Sequence, residues 1–232
     1  MVIASVHELT KVYSPPGGAV QVHALRGVTI EFIEGQSVAI CGQSGSGKST
    51  LMNLLGCLDR PSAGRYILGG CDVSDMDDDE LSDIRGQRIG FVFQNFNLIP
   101  QLTVLENLEI PLFYQDVPPG QRREKAAELG ALVGLADRGH HRPMELSGGQ
   151  QQRAAIARAL INNPLIILAD EPTGNLDTAT GEMILGIFDK LRESGKTILI
   201  VTHEPEVARR CDRTITLRDG LVVDDVRHNG RS

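Results

Sequence analysis

The glycine-rich segment at residues 42–49 limits what this chain can fold into more than any other part of the sequence. It matches the pattern G-x-x-x-x-G-K-[ST] and reads Gly42-Gln43-Ser44-Gly45-Ser46-Gly47-Lys48-Ser49. A short apolar run at residues 37–41 precedes it, and a helical pattern at residues 48–55 follows it. This is the context that a phosphate-binding loop requires. The segment therefore predicts an α/β fold in which a loop between a strand and a helix holds the phosphates of a nucleotide.

Two side chains at the end of this loop predict what it binds. Glycines let successive backbone N–H groups turn toward one anion, and the start of the helix adds partial positive charge. Lys48 is expected to reach the β- and γ-phosphates, and the hydroxyl group of Ser49 is expected to bind Mg²⁺. The alternative is a glycine-rich turn without a ligand, which the Lys-Ser pair and the flanking elements disfavour.

A second segment carries two acids at the end of an apolar run. It reads Leu165-Ile166-Ile167-Leu168-Ala169-Asp170-Glu171, which is typical of a strand buried on both faces. Because α/β sheets bind ligands at the carboxyl ends of their strands, we expect Asp170 to hold Mg²⁺ through water. Glu171 is one residue further, so strand alternation predicts that its side chain points to the other face and polarises the attacking water. The alternative is that both acids are only solvated.

A third segment predicts a second anion cradle. Ser147 can cap a helical pattern that runs through Leu160, and the first N–H groups of such a helix attract an anion. Taken alone, Ser-Gly-Gly is also a common capped turn without a ligand. The segment is distinguished by its full length, Leu146-Ser147-Gly148-Gly149-Gln150-Gln151-Gln152-Arg153, followed by Ala155-Ile156-Ala157-Arg158-Ala159-Leu160.

Composition narrows the class of protein. The 232 residues are enough for one α/β domain, or for a domain with a small subdomain. A net charge of −7 and the absence of Trp disfavour binding to nucleic acid. No apolar run approaches the ~18 residues of a membrane span, and the first residues do not resemble a signal peptide. The four cysteines lack CxxC spacing, so we expect reduced thiols in a cytosolic protein.

Elsewhere the sequence alternates between strand and helix patterns. Strands are predicted at residues 2–9, 20–33, 37–41, 65–68, 89–93, 165–169, 197–202 and 213–217. Helices are predicted at residues 48–55, 77–85, 119–132, 179–192 and 205–210, with two more beginning after Thr103 and Ser147. The turn cluster at residues 14–18 predicts an antiparallel opening sheet, and the later alternation predicts a largely parallel one. We expect one domain, with residues 1–94 and 164–232 as its α/β core and residues 95–163 as a helical insert.

Two short segments leave alternatives open. Asp77-Asp78-Asp79-Glu80 places acids at the start of a helix, where they are favourable, although a metal site is the other possibility. Phe96, Leu98 and Ile99 lie in a predicted loop, where apolar groups usually need a cover. They either contact a partner or fold back into the core.

Together these segments resemble the ATP-binding cassette (ABC) ATPases, and the resemblance to a transporter nucleotide-binding subunit covers essentially the whole chain. It implies a P-loop NTPase fold of ABC type. Such a fold has a mixed, mainly parallel core sheet, an N-terminal antiparallel β-subdomain and an inserted α-helical subdomain. In that family the pentapeptide at residues 146–150 closes over the nucleotide of a second subunit. The resemblance therefore implies Mg²⁺-dependent ATP hydrolysis by an ATP-dependent homodimer.

The resemblance also assigns roles outside these segments. Gln94 matches the Q-loop glutamine, which binds Mg²⁺ and senses the membrane subunit, and His203 matches the switch histidine at the γ-phosphate. Asp177 matches the D-loop acid that crosses the dimer seam, and Tyr13 matches the aromatic residue that stacks on adenine. The implied catalytic residues are Lys48, Glu171 and His203, and the implied Mg²⁺ ligands are Ser49, Gln94 and Asp170. The implied ATP contacts are Tyr13, Gly42, Gln43, Ser44, Gly45, Ser46, Gly47, Lys48, Ser49, Thr50, Gln94, Ser147, Gly148, Gly149, Gln150 and Asp177.

Residues 56–61, 90–94 and 168–177 resemble a narrower group, the macrolide-efflux, lipoprotein-release and cell-division ATPases. This implies a partner permease with a large extracytoplasmic domain, no nucleic-acid partner, and a peripheral location on the cytoplasmic face of the inner membrane. The rival is an ABC ATPase that acts on DNA or ribosomes. Such proteins insert a long coiled coil or join two cassettes, whereas here Gln94 and Ser147 are 53 positions apart and one phosphate loop is present. A regulatory module without turnover is disfavoured by Glu171 and His203.

Overall fold

The computed structural model describes residues 1–14 and 21–228. Its chain divides into two compact units, Met1–Ile84 with Gly195–Ser232 as the first and Arg85–Ser194 as the second. The strands are β1 (Val2–Tyr13), β2 (Val22–Ile33), β3 (Ser37–Cys41), β4 (Ala63–Leu68), β5 (Cys71–Asp72), β6 (Ile89–Phe93), β7 (Ile166–Asp170), β8 (Thr197–Val201), β9 (Arg213–Arg218) and β10 (Leu221–Arg227). The α-helices are α1 (Lys48–Leu55), α2 (Asp78–Arg88), α3 (Val104–Phe113), α4 (Pro119–Leu132), α5 (Gly148–Leu160), α6 (Thr178–Glu193) and α7 (Pro205–Arg210).

The first unit opens with a four-stranded antiparallel sheet in the order β2-β1-β4-β5. Val28, Ile30 and Phe32 of β2 are buried, while the polar residues between them are exposed. This alternation is typical of a strand with one face on a core. The predicted antiparallel pairing of β1 with β2 is confirmed. Val20 and residues 15–18 of the predicted turn lie outside the described residues.

The first unit also holds strands of a second sheet in the order β10-β9-β3-β8. β3 pairs in parallel with β8 and with β9, and β10 pairs antiparallel with β9. All of β8 is buried, as are Val38, Ala39 and Ile40 of β3, which explains why both strands are continuous apolar runs. β10 was not predicted. It is an edge strand with mostly exposed residues, so it lacks the apolar run on which the prediction relied.

In the second unit, β6 pairs in parallel with β7, as the strand–helix alternation predicted. The helices α3, α4 and α5 share an apolar core that includes Leu108, Ala126 and Ala154. Thr103 begins α3 with a capping box: its side chain accepts from the backbone N–H of Glu106, and the Glu106 carboxylate accepts from the N–H of Thr103. The predicted starts of α3, α4 and α5 are confirmed, because capping residues and proline are local signals.

The acids at residues 77–80 form a helix start. Asp77 Oδ1 accepts from the N–H of Glu80 at 2.9 Å, and Glu80 Oε2 accepts from the N–H of Asp77 at 2.9 Å. The helix they begin, α2, extends to Arg88 rather than to the predicted Arg85, and two arginines in its last turn complement the helix dipole. Within residues 1–14 and 21–228, no group of three or more His, Cys, Asp and Glu could hold a metal ion.

None of the helices formed by the described residues has the length and apolar character needed to cross a membrane.

Candidate nucleotide-binding site

The phosphate loop lies between β3 and α1 in the first unit, and its backbone explains its glycines. Gly47, the N-cap of α1, has a φ of 103°, and a Cβ there would lie 2.6 Å from the carbonyl oxygen of Ala24. Gly45 has a φ of 77° and faces open space. No side chain of residues 1–14 and 21–228 caps α1, and the first N–H groups of a helix have no acceptor within it. The start of α1 therefore offers an anion both donors and room.

Two further features of this loop fit a phosphate group. Lys48 Nζ folds over the loop and donates to the carbonyl oxygens of Gly42 at 2.8 Å and of Gln43 at 2.9 Å. These bonds hold the positively charged ammonium group of Lys48 against the loop. The hydroxyl group of Ser46 is buried and has no hydrogen-bond partner among the described residues, and a bound ligand or water would supply one. Gln43, Ser44 and Ser49 are exposed, and Thr50 is half-buried.

His203 follows β8 in the first unit. Because β3 and β8 are parallel, with Ile40 opposite Val201, the phosphate loop and His203 leave the same edge of the sheet. His203 is exposed there. The first unit thus brings the predicted switch histidine to the side on which the phosphate loop lies.

Tyr13, the predicted adenine-stacking residue, lies at the end of β1 and is held through its hydroxyl group. That group donates to Asp59 Oδ2 at 2.9 Å, while the residue as a whole remains 39% exposed. Burial raises the pKa of Tyr13, as does the bond to Asp59, and the hydroxyl group of Thr50 acts in the opposite direction. Tyr13 therefore lies beside α1, close to Thr50.

In the second unit, Gln94 and Asp170 leave neighbouring strands at one edge. β6 and β7 are parallel, with Phe93 opposite Asp170, so Gln94 follows β6 where Asp170 ends β7. The direction predicted for Glu171 rested on strand alternation, and this premise is wrong. β7 ends at Asp170, and Glu171 has a left-handed backbone with a φ of 43°. Alternation applies only to extended backbone, so it does not determine where Glu171 points.

Gln94, the predicted Q-loop glutamine, contacts Asn175. Gln94 Nε2 donates to Asn175 Oδ1 at 3.3 Å, and Asn175 Nδ2 donates to the carbonyl oxygen of Gln94 at 3.1 Å and to Asn95 Oδ1 at 2.8 Å. A Cβ on Gly174 would lie 2.7 Å from Gln94 Nε2, so glycine leaves room for this side chain. Asn175 therefore links the residues that follow β7 to those that follow β6 through hydrogen bonds.

The pentapeptide at residues 146–150 begins α5 with a capping box. Ser147 Oγ accepts from the N–H of Gln150 at 3.3 Å, and Gln150 Oε1 accepts from the N–H of Ser147 at 2.9 Å. Gly149 lies against α6, where its added Cβ would be only 2.3 Å from Thr180 Cγ2. The predicted cap at Ser147 is confirmed, and the glycine at position 149 is explained by close packing rather than by backbone conformation.

Asp177, the predicted seam residue, caps α6. Its carboxylate accepts from the N–H of Thr180 at 3.0 Å and from the Thr180 hydroxyl group at 2.6 Å. These bonds lower the pKa of Asp177. Thr180 thus lies against both Asp177 and Gly149 at the start of α5.

Arg158, on α5, holds the loop that follows Gln94. Its guanidinium donates to the carbonyl oxygens of Asn97 at 2.5 Å and of Phe96 at 3.0 Å, and burial lowers its pKa. Phe96 and Asn97 both have left-handed backbones, which turns their carbonyl groups toward one donor. The apolar residues of this loop divide: Leu98 packs against the helical core, whereas Ile99 is 39% exposed.

The predicted Mg²⁺ ligands fit that ion by their chemistry. The hydroxyl group of Ser49, the amide oxygen of Gln94 and the carboxylate of Asp170 are oxygen donors, which Mg²⁺ prefers. Mg²⁺ also usually keeps substrate phosphates and water as ligands, so it needs few protein groups.

Four residues contact residues that were singled out in the sequence, but were not predicted to do so: Asp59, Asn175, Arg158 and Thr180. Asn175 and Arg158 stood inside quoted motifs, but nothing in the sequence indicated what they bind. Asp59 lies 46 positions from Tyr13, and no local pattern connects them.

Comparison with known proteins identifies the family of the chain. The ABC transporter family profile matches residues 25–174. An uncharacterised ABC transporter ATP-binding protein of Thermotoga maritima is 57% identical over 205 residues, which are 88% of each chain. The macrolide export ATP-binding/permease protein MacB of Hyphomonas neptunium is 49% identical over 223 residues, which are 96% of this chain. The chain spans only about a third, 34%, of that relative's length.

A solved structure gives the same answer for the fold. The ATP-binding cassette MJ0796, in a dimeric post-hydrolysis state bound to ADP and Pi, superposes with a TM-score of 0.88. The two are 47% identical, and the match covers 98% of this chain and 99% of the other. The predicted α/β fold of ABC type, with its P-loop and mixed sheet, is confirmed. The chain belongs to the ABC transporter family and is one of its ATPase cassettes.

Proposed function

We propose that this chain hydrolyses ATP to drive a separate transmembrane permease of the macrolide-export and lipoprotein-release type, through ATP-driven closure of a homodimer. The observation that carries the proposal is the 49% identity, over 96% of this chain, to a protein that combines ATP binding with a permease. The Thermotoga relative, of which the chain covers 88%, has the name of an ATP-binding protein alone. This supports a permease on a separate chain.

The permease would carry a large extracytoplasmic domain, and the ATPase would bind it peripherally on the cytoplasmic face of the inner membrane. The proposed domain has residues 1–94 and 164–232 as its nucleotide-binding core and residues 95–163 as its helical part. Ile99, exposed in the loop after Gln94, is a candidate contact with the permease.

Each site residue has a proposed role in hydrolysis. Lys48 places positive charge on the β- and γ-phosphates, and Tyr13 stacks on adenine. Glu171 accepts a proton from the attacking water, and His203 contacts the γ-phosphate. Bound Mg²⁺, held by Ser49, Gln94 and Asp170, would neutralise charge on the phosphates.

The second half of the ATP site would come from a second copy of this chain. Ser147 and the N–H of Gly149 would donate to the γ-phosphate bound at Lys48 of the opposite copy, and Asp177 would cross the seam. The dimeric MJ0796 cassette, which contains ADP and Pi, supports this arrangement. Hydrolysis would remove the bridging phosphate and release the two copies.

The substitution Glu171→Gln tests the proposal. It keeps the shape of the side chain but removes the base, so turnover should fall about 10²–10⁴-fold while ATP binding survives. The variant should therefore accumulate as an ATP-bound dimer, measured by size exclusion with light scattering at saturating ATP and Mg²⁺. A monomer under these conditions would show that the isolated chain does not form the two-chain site.

Two controls give this experiment its specificity. Adding Ser147→Arg should return the Glu171→Gln variant to monomer, because a long cation blocks the seam. Glu124→Gln makes the same chemical change on the exposed surface of α4 and should leave turnover and the monomer unchanged.

The trapped dimer, used as bait in detergent-solubilised membranes, should retain an integral membrane permease. Absence of a permease from the retained proteins would argue against the transport role.

A further inference from the structure

Asp59 gathers three groups around the end of β1. Its Oδ1 accepts from Lys11 Nζ at 2.6 Å and from the N–H of Arg60 at 2.7 Å, and its Oδ2 accepts from the Tyr13 hydroxyl group at 2.9 Å. Lys11 Nζ also donates to the carbonyl oxygen of Arg60 at 2.7 Å. Both carboxylate oxygens are thus engaged, and one of them holds the tip of the Tyr13 ring.

The cluster is arranged for a charged carboxylate. Burial acts to raise the pKa of Asp59, but the hydrogen bonds from Lys11, Tyr13 and the Arg60 N–H, together with the charge of Lys11, outweigh it and bring that pKa below its ordinary value. The side chains of Lys11 and Asp59 are 13% and 28% exposed, so water screens their ion pair only in part. Hydrogen bonds to a charged group are stronger than neutral ones, which makes the carboxylate a firm anchor for the ring.

Lys11 also covers one side of the aromatic ring. Its Nζ lies 4.9 Å from the centroid of Tyr13, within the range of a cation–π contact. A base that stacks on this ring must therefore use the opposite face. The anchor at the hydroxyl group fixes the tip of the ring, and the ammonium group of Lys11 occupies one of its two faces.

The anchor also lies at a defined place relative to the phosphates. Asp59 stands just beyond α1, whose C-cap is Gly56 and whose N-cap is Gly47 of the phosphate loop. The helix that begins at the phosphate cradle is thus followed directly by the residue that orients Tyr13. A platform fixed in this way before binding does not lose side-chain freedom when ATP arrives, which favours affinity.

We infer that Asp59, assisted by Lys11, is a positioning residue for nucleotide binding: it holds the Tyr13 ring in the orientation that receives the base. The inference rests on the proposed role of Tyr13 in stacking. It requires that the hydroxyl group of Tyr13 contribute to ATP affinity, although this group points at Asp59 rather than at the base.

Tyr13→Phe is the decisive variant, because it keeps the ring and removes the hydroxyl group, with its bond to Asp59 and its contact with Thr50. It should raise the Kd for ATP about three- to tenfold, the net worth of a typical protein hydrogen bond. Asp59→Ala should raise it by a similar factor. The double variant should be no weaker than the weaker single variant, because both changes remove the same bond. Calorimetry measures these constants, and KM should rise with kcat unchanged.

Inorganic tripolyphosphate separates the platform from the phosphate loop. It has no base, so its Kd should be the same for the wild type, Tyr13→Phe and Asp59→Ala. Asp72→Ala is the matched control, since Asp72 pairs with Arg65 at 2.8 Å in the same sheet and does not contact Tyr13. It should leave the Kd for ATP unchanged.

Three results would overturn the inference. Wild-type ATP affinity in Tyr13→Phe, together with weakened affinity in Tyr13→Ala, would remove the positioning role and leave the stacking role intact. Additive losses in the double variant would show that Asp59 acts on the fold rather than through Tyr13. Unchanged ATP affinity in Tyr13→Ala would remove Tyr13 from the site, and the positioning role with it.

Discussion

The starts of α1 and α5 both offer N–H groups to an anion, but they are built in opposite ways. α1 begins at Gly47, whose left-handed backbone has no side-chain cap, and Lys48 folds back over its own loop. α5 begins at Ser147, whose backbone is extended and which forms a full capping box with Gln150. The first N–H groups of α1 are left for a ligand to bind, whereas at α5 the N–H of Gln150 already donates to Ser147 Oγ.

The difference shows why each start needs its glycines. At α1, glycine is required by the backbone, because Gly47 has a φ of 103° and its Cβ position faces the carbonyl oxygen of Ala24. At α5, glycine is required by a neighbouring side chain, because the Cβ position of Gly149 is occupied by the Thr180 methyl group. A clash with a side chain can be relieved by a second substitution, and a forbidden backbone cannot.

Lys48→Ala removes the positive charge at the start of α1, and of the substitutions described it should have the largest effect. Without the ammonium group on the β- and γ-phosphates, kcat should fall by at least about 10²–10³-fold and ATP affinity should drop sharply. A phosphate-release assay measures the rate. Lys125→Ala, on the exposed surface of α4, should leave the rate unchanged. Undiminished turnover in Lys48→Ala would refute the phosphate-loop assignment.

Gly47→Ala and Gly149→Ala test the difference between the two helix starts, because a second substitution should restore stability only to Gly149→Ala. Gly47→Ala should cost about 2–5 kcal/mol of unfolding free energy, since a left-handed residue acquires a Cβ and that Cβ clashes with the carbonyl oxygen of Ala24. Gly149→Ala should cost about 1–3 kcal/mol through overpacking. Urea unfolding measures both changes.

Thr180→Ser should restore much of the stability lost in Gly149→Ala. It removes the clashing methyl group and keeps the hydroxyl group that donates to Asp177 at 2.6 Å. The same change should do nothing for Gly47→Ala. Failure of the rescue would mean that position 149 is limited by something other than Thr180.

Gln150→Ala tests the cap that α5 has and α1 lacks, and its effect should be the smallest. It removes the bond from Gln150 Oε1 to the N–H of Ser147 but leaves the one from Ser147 Oγ, so the cost should be about 0.5–1 kcal/mol. Thermal unfolding should show a decrease in Tm of about 1–4 °C. Glu106→Ala breaks the same kind of box at α3 and should cost a similar amount. A much larger loss for Gln150→Ala alone would show a further role for this side chain.

Local signals explain which parts of the fold could be predicted. The bounds of β3, α1 and β6 agree with the sequence pattern, because a glycine loop, an apolar run and a turn each act over a few residues. β5 and β10 were missed, since a two-residue strand and an exposed edge strand carry no such pattern. The direction of Glu171 was inferred from strand periodicity. That periodicity does not reach Glu171, because the strand ends at Asp170 and Glu171 has a left-handed backbone.

The sequence by itself determined the chemistry of the motifs, the helix starts that carry them and the family to which the chain belongs. Only the tertiary structure decided which residues hold the motif side chains: Asp59 for Tyr13, Asn175 for Gln94 and Thr180 for Asp177 and Gly149. The first two pairs are 46 and 81 positions apart in the chain. Such contacts arise from how strands pair and helices pack, and neither a hydrophobic period nor a turn signal encodes which distant residue arrives at a given side chain.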